Sequence, residues 1–362
     1  MVTFLPTRPG RLADVPSFDR GIGGAESNVA CVLAAAGHTT RWISRVGADG
    51  FGDHLVEAIG GYGVDVSHVR RDPTRPTGIY FRTAGDRATD AHEVAYYRAG
   101  SAASAMTAAD LDLEAVRAGR VLHLSGITPA LSEGCLSLMR ELTAPHPARP
   151  LISFDVNHRP ALWRDAHGPE ILLELARRAD IVFVGEDEAE EAWGITGGPT
   201  SIRQVLPEPE ILVVKQGARG AVAFGRTAGS RTRLPAGSRA AGAARVGADG
   251  TPQAPGRATR PRPATTAPAL KVDVVATTGA GDAFAAGFLS ATLRDLPLRD
   301  RLRHGHLMAA ATLTTPGDLA TPPPRTLADR LVALDDTAWG KLRLGPGWTD
   351  TMDRDEEEAP TP

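Results

Sequence analysis

Along most of the chain the hydrophobic pattern repeats one unit: a short apolar run of strand length, then a longer stretch with apolar residues at helical spacing. Val2-Thr-Phe-Leu5 reads as a strand that starts abruptly at Met1, as if the first strand were cut short or the start late. Pro6 to Ser17 is polar and Pro-rich, a loop or an edge strand. Val29 to Ala36 is an apolar helix stopped by Gly37. Thr40 to Val46 reads as a strand, Gly47-Ala-Asp-Gly50 as a turn and Phe51 to Ile59 as a helix. Strands follow at 120–125, 151–155 and 181–184, with helices at 132–142 and 172–178. This alternation predicts an α/β fold with a mostly parallel central sheet covered on both faces.

Between Thr77 and Arg98 the pattern changes. Residues 77–83 and 92–98 are two strand-like runs joined by a polar turn containing Gly85-Asp86, the signature of an antiparallel hairpin. A period of two puts Tyr80 and Arg82 on one face of the first strand, and Tyr96 and Arg98 on one face of the second. Such a face suits a hydroxylated, anionic ligand, or an ordinary exposed sheet. Residues 210–224 read as strand, Gly-rich turn and strand. From Gly225 to Pro268 the composition shifts to Ala, Gly, Arg, Pro and Thr, too poor in large apolar residues to offset the entropy of ordering, so 226–268 reads as a flexible surface insert. Residues 302–313 and 327–334 are helical, and 335–362 reads as a tail with a solvated acidic cluster at 353–358.

The chemistry concentrates where Lys271-Val-Asp-Val-Val275 runs into Thr277-Thr-Gly-Ala-Gly-Asp282 and an Ala-rich helix. A helix entered through small residues presents unpaired N–H groups and the positive end of its dipole to an anion such as phosphate. Asp282 is out of character in an anion site. Either it caps the helix, or it takes a proton from a hydroxyl that attacks the bound phosphate. A second Gly pair, Gly23-Gly24, precedes Glu26 and Asn28, which face a ligand unless Ser27 or Asn28 simply caps the helix. After the strand at 151–155, Arg159 is either a substrate clamp or a surface arginine beside Trp163. The acidic run from Glu186 to Glu191 suits a first helical turn, and one of its carboxylates could orient hydrated Mg²⁺. His304 and His306, two apart on a helix, do not face each other and make no metal site.

Composition narrows the classes. At 362 residues, 42% of them hydrophobic and 23% charged, the chain can build one large domain or a large domain with a small appendage. A formal net charge of −3 gives no reason to expect nucleic acid. Cys31 and Cys135 sit among apolar neighbours and read as buried free thiols. No apolar run reaches bilayer-spanning length and no signal-peptide pattern is visible, so no membrane partner and a cytoplasmic location are expected.

Taken together these stretches resemble the PfkB, or ribokinase-like, family of carbohydrate kinases, on Gly23-Gly-Ala-Glu-Ser-Asn28, Gly47-Ala-Asp-Gly-Phe-Gly52 and Thr278-Gly-Ala-Gly-Asp-Ala-Phe284. Within it, Thr77-Gly-Ile-Tyr80, Tyr96 to Ser104 and Asn157-His-Arg-Pro-Ala-Leu-Trp163 are most similar to the 2-keto-3-deoxygluconate kinases. The resemblance implies a three-layer sandwich over residues 1–334 with a small β lid from about 6–20 and 77–98, and a homo-oligomer joined through that lid. It implies ATP and Mg²⁺, and transfer of the γ-phosphoryl group to the terminal hydroxyl of a small sugar acid. Asp282 would be the base, with the Gly279, Ala280 and Gly281 amides as anion hole. Gly24, Asn28, Tyr80, Tyr96, Arg98 and Arg159 would hold the sugar acid, and Lys215, Gly217, Thr278, Gly279 and Gly281 the nucleotide. Glu188 would place Mg²⁺ through water. An arginine fork pairs with a carboxylate that neutral sugars lack.

Two positions depart from the family pattern. Gly185 stands where Asn is usual, which leaves Glu188 without its companion. Ala276 stands where relatives carry an Asp that helps hold a monovalent cation, so potassium activation should be weak or absent. The rival readings are a family kinase for fructose, ribose or a nucleoside, and an inactive sugar-binding regulator.

Overall fold

The computed structural model describes residues 1–83, 93–163, 167–225 and 264–350. The chain begins with β1 (Val2–Pro6), returns as β2 (Phe18–Ile22) and enters α1 (Ala25–Ala35). Next come β3 (Arg45–Gly47), α2 (Gly50–Gly61), β4 (Arg70–Asp72), β5 (Ile79–Arg82) and β6 (Val94–Tyr97). Strand and helix then alternate through α3 (Leu113–Arg117), β7 (Val121–Ser125), α4 (Glu133–Thr143), β8 (Leu151–Asp155), α5 (Gly168–Arg178) and β9 (Ile181–Gly185). The run ends with α6 (Glu186–Trp193), α7 (Gly198–Val205), β10 (Ile211–Lys215) and β11 (Ala221–Phe224). The last part holds β12 (Ala264–Ala267), β13 (Lys271–Val272), α8 (Ala280–Leu293), α9 (Leu298–Leu313), α10 (Arg325–Val332), α11 (Asp336–Lys341) and β14 (Arg343–Leu344).

The central sheet has the order β12-β11-β10-β9-β8-β7; β7 to β10 are parallel, while β11 and β12 run antiparallel. Period-two geometry divides its side chains between two layers. Leu212 and Val214 of β10 join α4, α5 and α7 on one face, while Ile211 and Val213 join α1, α8 and α9 on the other. The inner strands are therefore apolar on both faces over most of their length, and the result is the three-layer sandwich expected from the alternation. A second, four-stranded sheet, β2-β1-β5-β6, is the small β lid. β1 lies inside it, paired with β2 and β5, so the lid draws on residues 2–6 as well as the two segments expected.

Several local expectations need correction. Only β3 forms a strand within 40–46, extended by a single bridge from Arg41 to Asp65. The edge strand after β1 is Phe18–Ile22, while 7–17 is irregular. Ser27 and Asn28 lie inside α1, which starts on Gly24, so neither is its cap. Asp282 does not cap α8 either: Gly279 is the N-cap, with no side-chain cap bond. The insert ends earlier than 268, because β12 pairs with β11 from Ala264 onward. Nor is 335–350 a tail. Trp339 is wholly buried and its indole N–H donates to the Pro268 carbonyl at 3.0 Å, while Trp348 joins the same apolar cluster against α9 and α10. The Gly85-Asp86 turn, most of the insert and the 353–358 acidic cluster lie outside the described residues. Among the described residues no helix is long and apolar enough to cross a membrane.

Candidate active site

Two helix N-termini meet at the carboxyl ends of the parallel strands. Gly279 caps α8 with φ +81°, a left-handed conformation, and a Cβ there would lie 2.1 Å from the Asp318 carbonyl. Only glycine meets both demands. Ala280 donates a long 3.4 Å bond to the Thr277 carbonyl, whereas no acceptor among the described residues takes the Gly279 or Gly281 N–H. Both amides remain open to an anion. Thr278, half-buried, immediately precedes this turn.

Asp282, in the first turn of α8, accepts a 2.8 Å hydrogen bond from Nδ2 of Asn28 on α1. Asn28 is 3% exposed and its Oδ1 has no partner among the described residues. The Asp282 carboxylate lies deep in the molecule yet opens on the cleft, and its surroundings push its pKa up to about 7. Burial is the main cause, countered by the Asn28 bond, with Asp155 raising and Lys215 lowering it further. A base poised near neutral pH is suited to accepting a hydroxyl proton. Gly24, the N-cap of α1, lies beside a cavity of about 110 Å³ that Glu26, Arg98, Ser101 and Thr128 also line.

The lid supplies the next groups. Tyr80 and Tyr96 are register partners on β5 and β6, with ring centroids 5.5 Å apart. The Arg98 guanidinium stacks 4.4 Å from the Tyr96 centroid, and its buried Nε has no partner among the described residues. Burial lowers the Arg98 pKa, and the charge of Arg159 lowers it further. Two arginines therefore share one neighbourhood and repel each other, an arrangement that an anion between them relieves. Arg159 is half-exposed, donates to the His158 carbonyl at 2.8 Å and lies 3.7 Å from Glu188. The Tyr80 hydroxyl turns elsewhere: it donates to Asp318, which also forms a 2.7 Å ion pair with Arg82, both side chains 2% exposed.

On the other side of Asp282, Lys215 at the end of β10 reaches Asp155 at the end of β8, 3.1 and 3.3 Å from its two oxygens. Its Nζ is 3.7 Å from where a Cβ on Gly281 would stand. Gly217 follows in the turn to β11. Glu188, in the first turn of α6, accepts the Gly185 N–H at 2.7 Å through Oε2. A side chain at 185 would be crowded, since its Cβ would fall 2.4 Å from the Asp187 carboxylate. The anion donors thus fit a nucleotide's terminal phosphate, and Glu188 Oε1 can accept from a metal-bound water.

Asp318 and Asp155 went unsingled in the sequence. Asp155 had a signal, as the one acidic end of an apolar strand. Asp318 had none, being a lone carboxylate in a loop brought in only by tertiary folding.

Residues 2–238 and 263–325 match the family described as pfkB family carbohydrate kinase. A 2-dehydro-3-deoxygluconokinase of Bacillus subtilis (strain 168) is 32% identical over 90% of this chain and 90% of its own. Fructokinase-1 of Oryza sativa subsp. japonica is 29% identical over 89% and 92%. The crystal structure of a PfkB protein from Polaromonas sp. JS666 superposes with a TM-score of 0.71, 31% identity, and 91% and 96% coverage. Architecture and sequence match agree: this chain belongs to the pfkB family of carbohydrate kinases and is an ATP-dependent member of it.

Proposed function

We propose that the chain phosphorylates the terminal hydroxyl of 2-keto-3-deoxygluconate. The observation that carries this reading is the pair Arg98 and Arg159, two cations in one neighbourhood, with no carboxylate among the described residues bonded to Arg98. Arg159 already has Glu188 at 3.7 Å, but a neutral sugar offers Arg98 no counter-charge, whereas a keto acid does. The name of the B. subtilis relative supports the same choice.

With its carboxylate on the arginines, the acid extends its other end toward Asp282, past Gly24, Asn28 and the Tyr80–Tyr96 wall. Asp282 takes the hydroxyl proton as the oxygen attacks phosphorus, while the Gly279, Ala280 and Gly281 turn and the dipole of α8 stabilise charge on the phosphoryl oxygens. Ala280 contributes only if its long bond to Thr277 gives way. Lys215, Gly217 and Thr278 line the nucleotide side. Mg²⁺ would be held through water by Glu188 and would neutralise phosphate charge. The lid excludes competing water. Val94, Tyr96 and Tyr97 are exposed on it, which supports pairing of two lids in a homo-oligomer.

The test is ADP production with a panel of acceptors: 2-keto-3-deoxygluconate, its galactonate epimer, gluconate, fructose, ribose and a nucleoside. The keto acids should exceed the neutral sugars at least about tenfold in kcat/KM, the scale of one charge-assisted bond. Fructose as the best acceptor overturns the sugar-acid assignment, and binding without turnover would favour a non-enzymatic regulator.

A further inference from the structure

Asp155 and Lys215 stand on the same face of the sheet as α8, on strands separated by β9. Lys215 is in register with Gly185 on that strand, and its ammonium reaches across β9 to Asp155 directly. An ammonium has three N–H donors, and the two Asp155 oxygens engage at most two. The remaining donor lies beside Gly281, in the turn whose amides are open to an anion. The surroundings favour the charged form: burial lowers the Lys215 pKa, but Asp155, Glu188 and Asp282 together outweigh it and the net direction is upward.

We infer that Lys215 is a catalytic residue of the transfer step, its free N–H directed at an oxygen of the moving phosphoryl group, with Asp155 as the positioning residue that holds it there. This rests on the kinase reading above and goes beyond placing Lys215 among the nucleotide contacts. In the step, the acceptor O–H gives its proton to Asp282, the new O–P bond forms, and the bond from phosphorus to the nucleoside diphosphate breaks, leaving the charge on the diphosphate. Lys215 stays protonated throughout. Its contact strengthens as charge builds on the phosphoryl oxygens, which makes it a transition-state contact in preference to a ground-state one.

The experiment compares wild type with K215M, K215R and D155N in the full chain, measuring kcat and KM at saturating ATP and ADP affinity by calorimetry. K215M should lose about 10²–10³-fold in kcat, the range for one transition-state donor, with ADP affinity changed less than about threefold. K215R should recover part of that loss, and D155N should lower kcat less than K215M with ADP affinity unchanged. Weakened ADP binding with unchanged kcat would make Lys215 a nucleotide anchor only. Unchanged kcat and ADP affinity would make the pair structural; either result overturns the proposal. Should K215M fail to fold because Asp155 is left unpaired, the double replacement D155N/K215M removes that buried charge and carries the same kinetic criterion. A wild type without turnover on the acceptor panel sinks the kinase reading itself, whereas an active wild type with an equally active K215M sinks only the role of Lys215.

Discussion

Replacing Asp282 with Asn should stabilise the protein while silencing it. Burial raises the Asp282 pKa from 3.8 to about 7, so the folded state holds this proton more tightly than the unfolded chain. Below pH 3.8 both states are protonated and the group is neutral toward stability. As pH rises from there, the unfolded chain ionises freely while the folded one resists. The penalty grows until about pH 7 and is flat above it. Three pKa units correspond to about 4 kcal/mol. The carboxylate opens on the cleft, and solvent screening leaves roughly half of that, about 2 kcal/mol. Asn cannot ionise and can still accept from Asn28 through its amide oxygen. Urea denaturation of both proteins should therefore show D282N ahead by a margin that widens by about 1–2 kcal/mol between pH 5 and pH 8 and then stops growing. Wild-type kcat/KM should fall toward tenfold per pH unit below about pH 7, and D282N should lose about 10²–10⁴-fold in kcat. A stability margin that does not change with pH, or a wild type equally active at pH 5.5 and 8, would refute the buried-base account.

Four further outcomes follow from other contacts. Arg98→Ala should raise KM for the keto acid by about 10–100-fold, the value of a charged hydrogen bond, with little effect on any neutral sugar accepted; unchanged keto-acid kinetics would remove Arg98 from the site. Asp318→Ala strands a buried Arg82 and should destabilise the fold by about 3–5 kcal/mol in denaturant melts. Trp339→Ala should cost about 3–5 kcal/mol by the same measurement, whereas a true tail would show no change. Exchanging sodium for potassium should alter kcat by less than about twofold, since Ala276 offers no carboxylate; a large rise would show that another group holds the cation.

The layered fold was legible because β8, β9 and β10 are buried on both faces and read as mostly apolar runs, a pattern that a covered parallel sheet requires. The start of α8 was legible for a different reason: its glycines and carboxylate crowd into one turn. What escaped was whatever depends on distant partners. Asp318 gains its meaning from Tyr80 and Arg82, more than 230 residues earlier. Trp339 looks unremarkable beside Asp335 and Asp336 until α9 and the Pro268 carbonyl enclose it. Thr40 to Val46 alternates like a strand, but it pairs only at Arg41, by a single bridge, and from Arg45 onward, because hydrogen-bond pairing is decided elsewhere in the chain.

The ion pair between Arg82 and Asp318 spans 236 residues, and the Asn28–Asp282 bond spans 254. A ribosome adding about 5–20 residues per second leaves roughly 10–50 s between making the first partner and the second. Throughout that interval the apolar side of α1 and the cationic underside of the lid wait without their counterparts. The amino-terminal third is therefore a natural client for holding chaperones, and a nascent chain stalled before α8 should be far more susceptible to protease than the released protein.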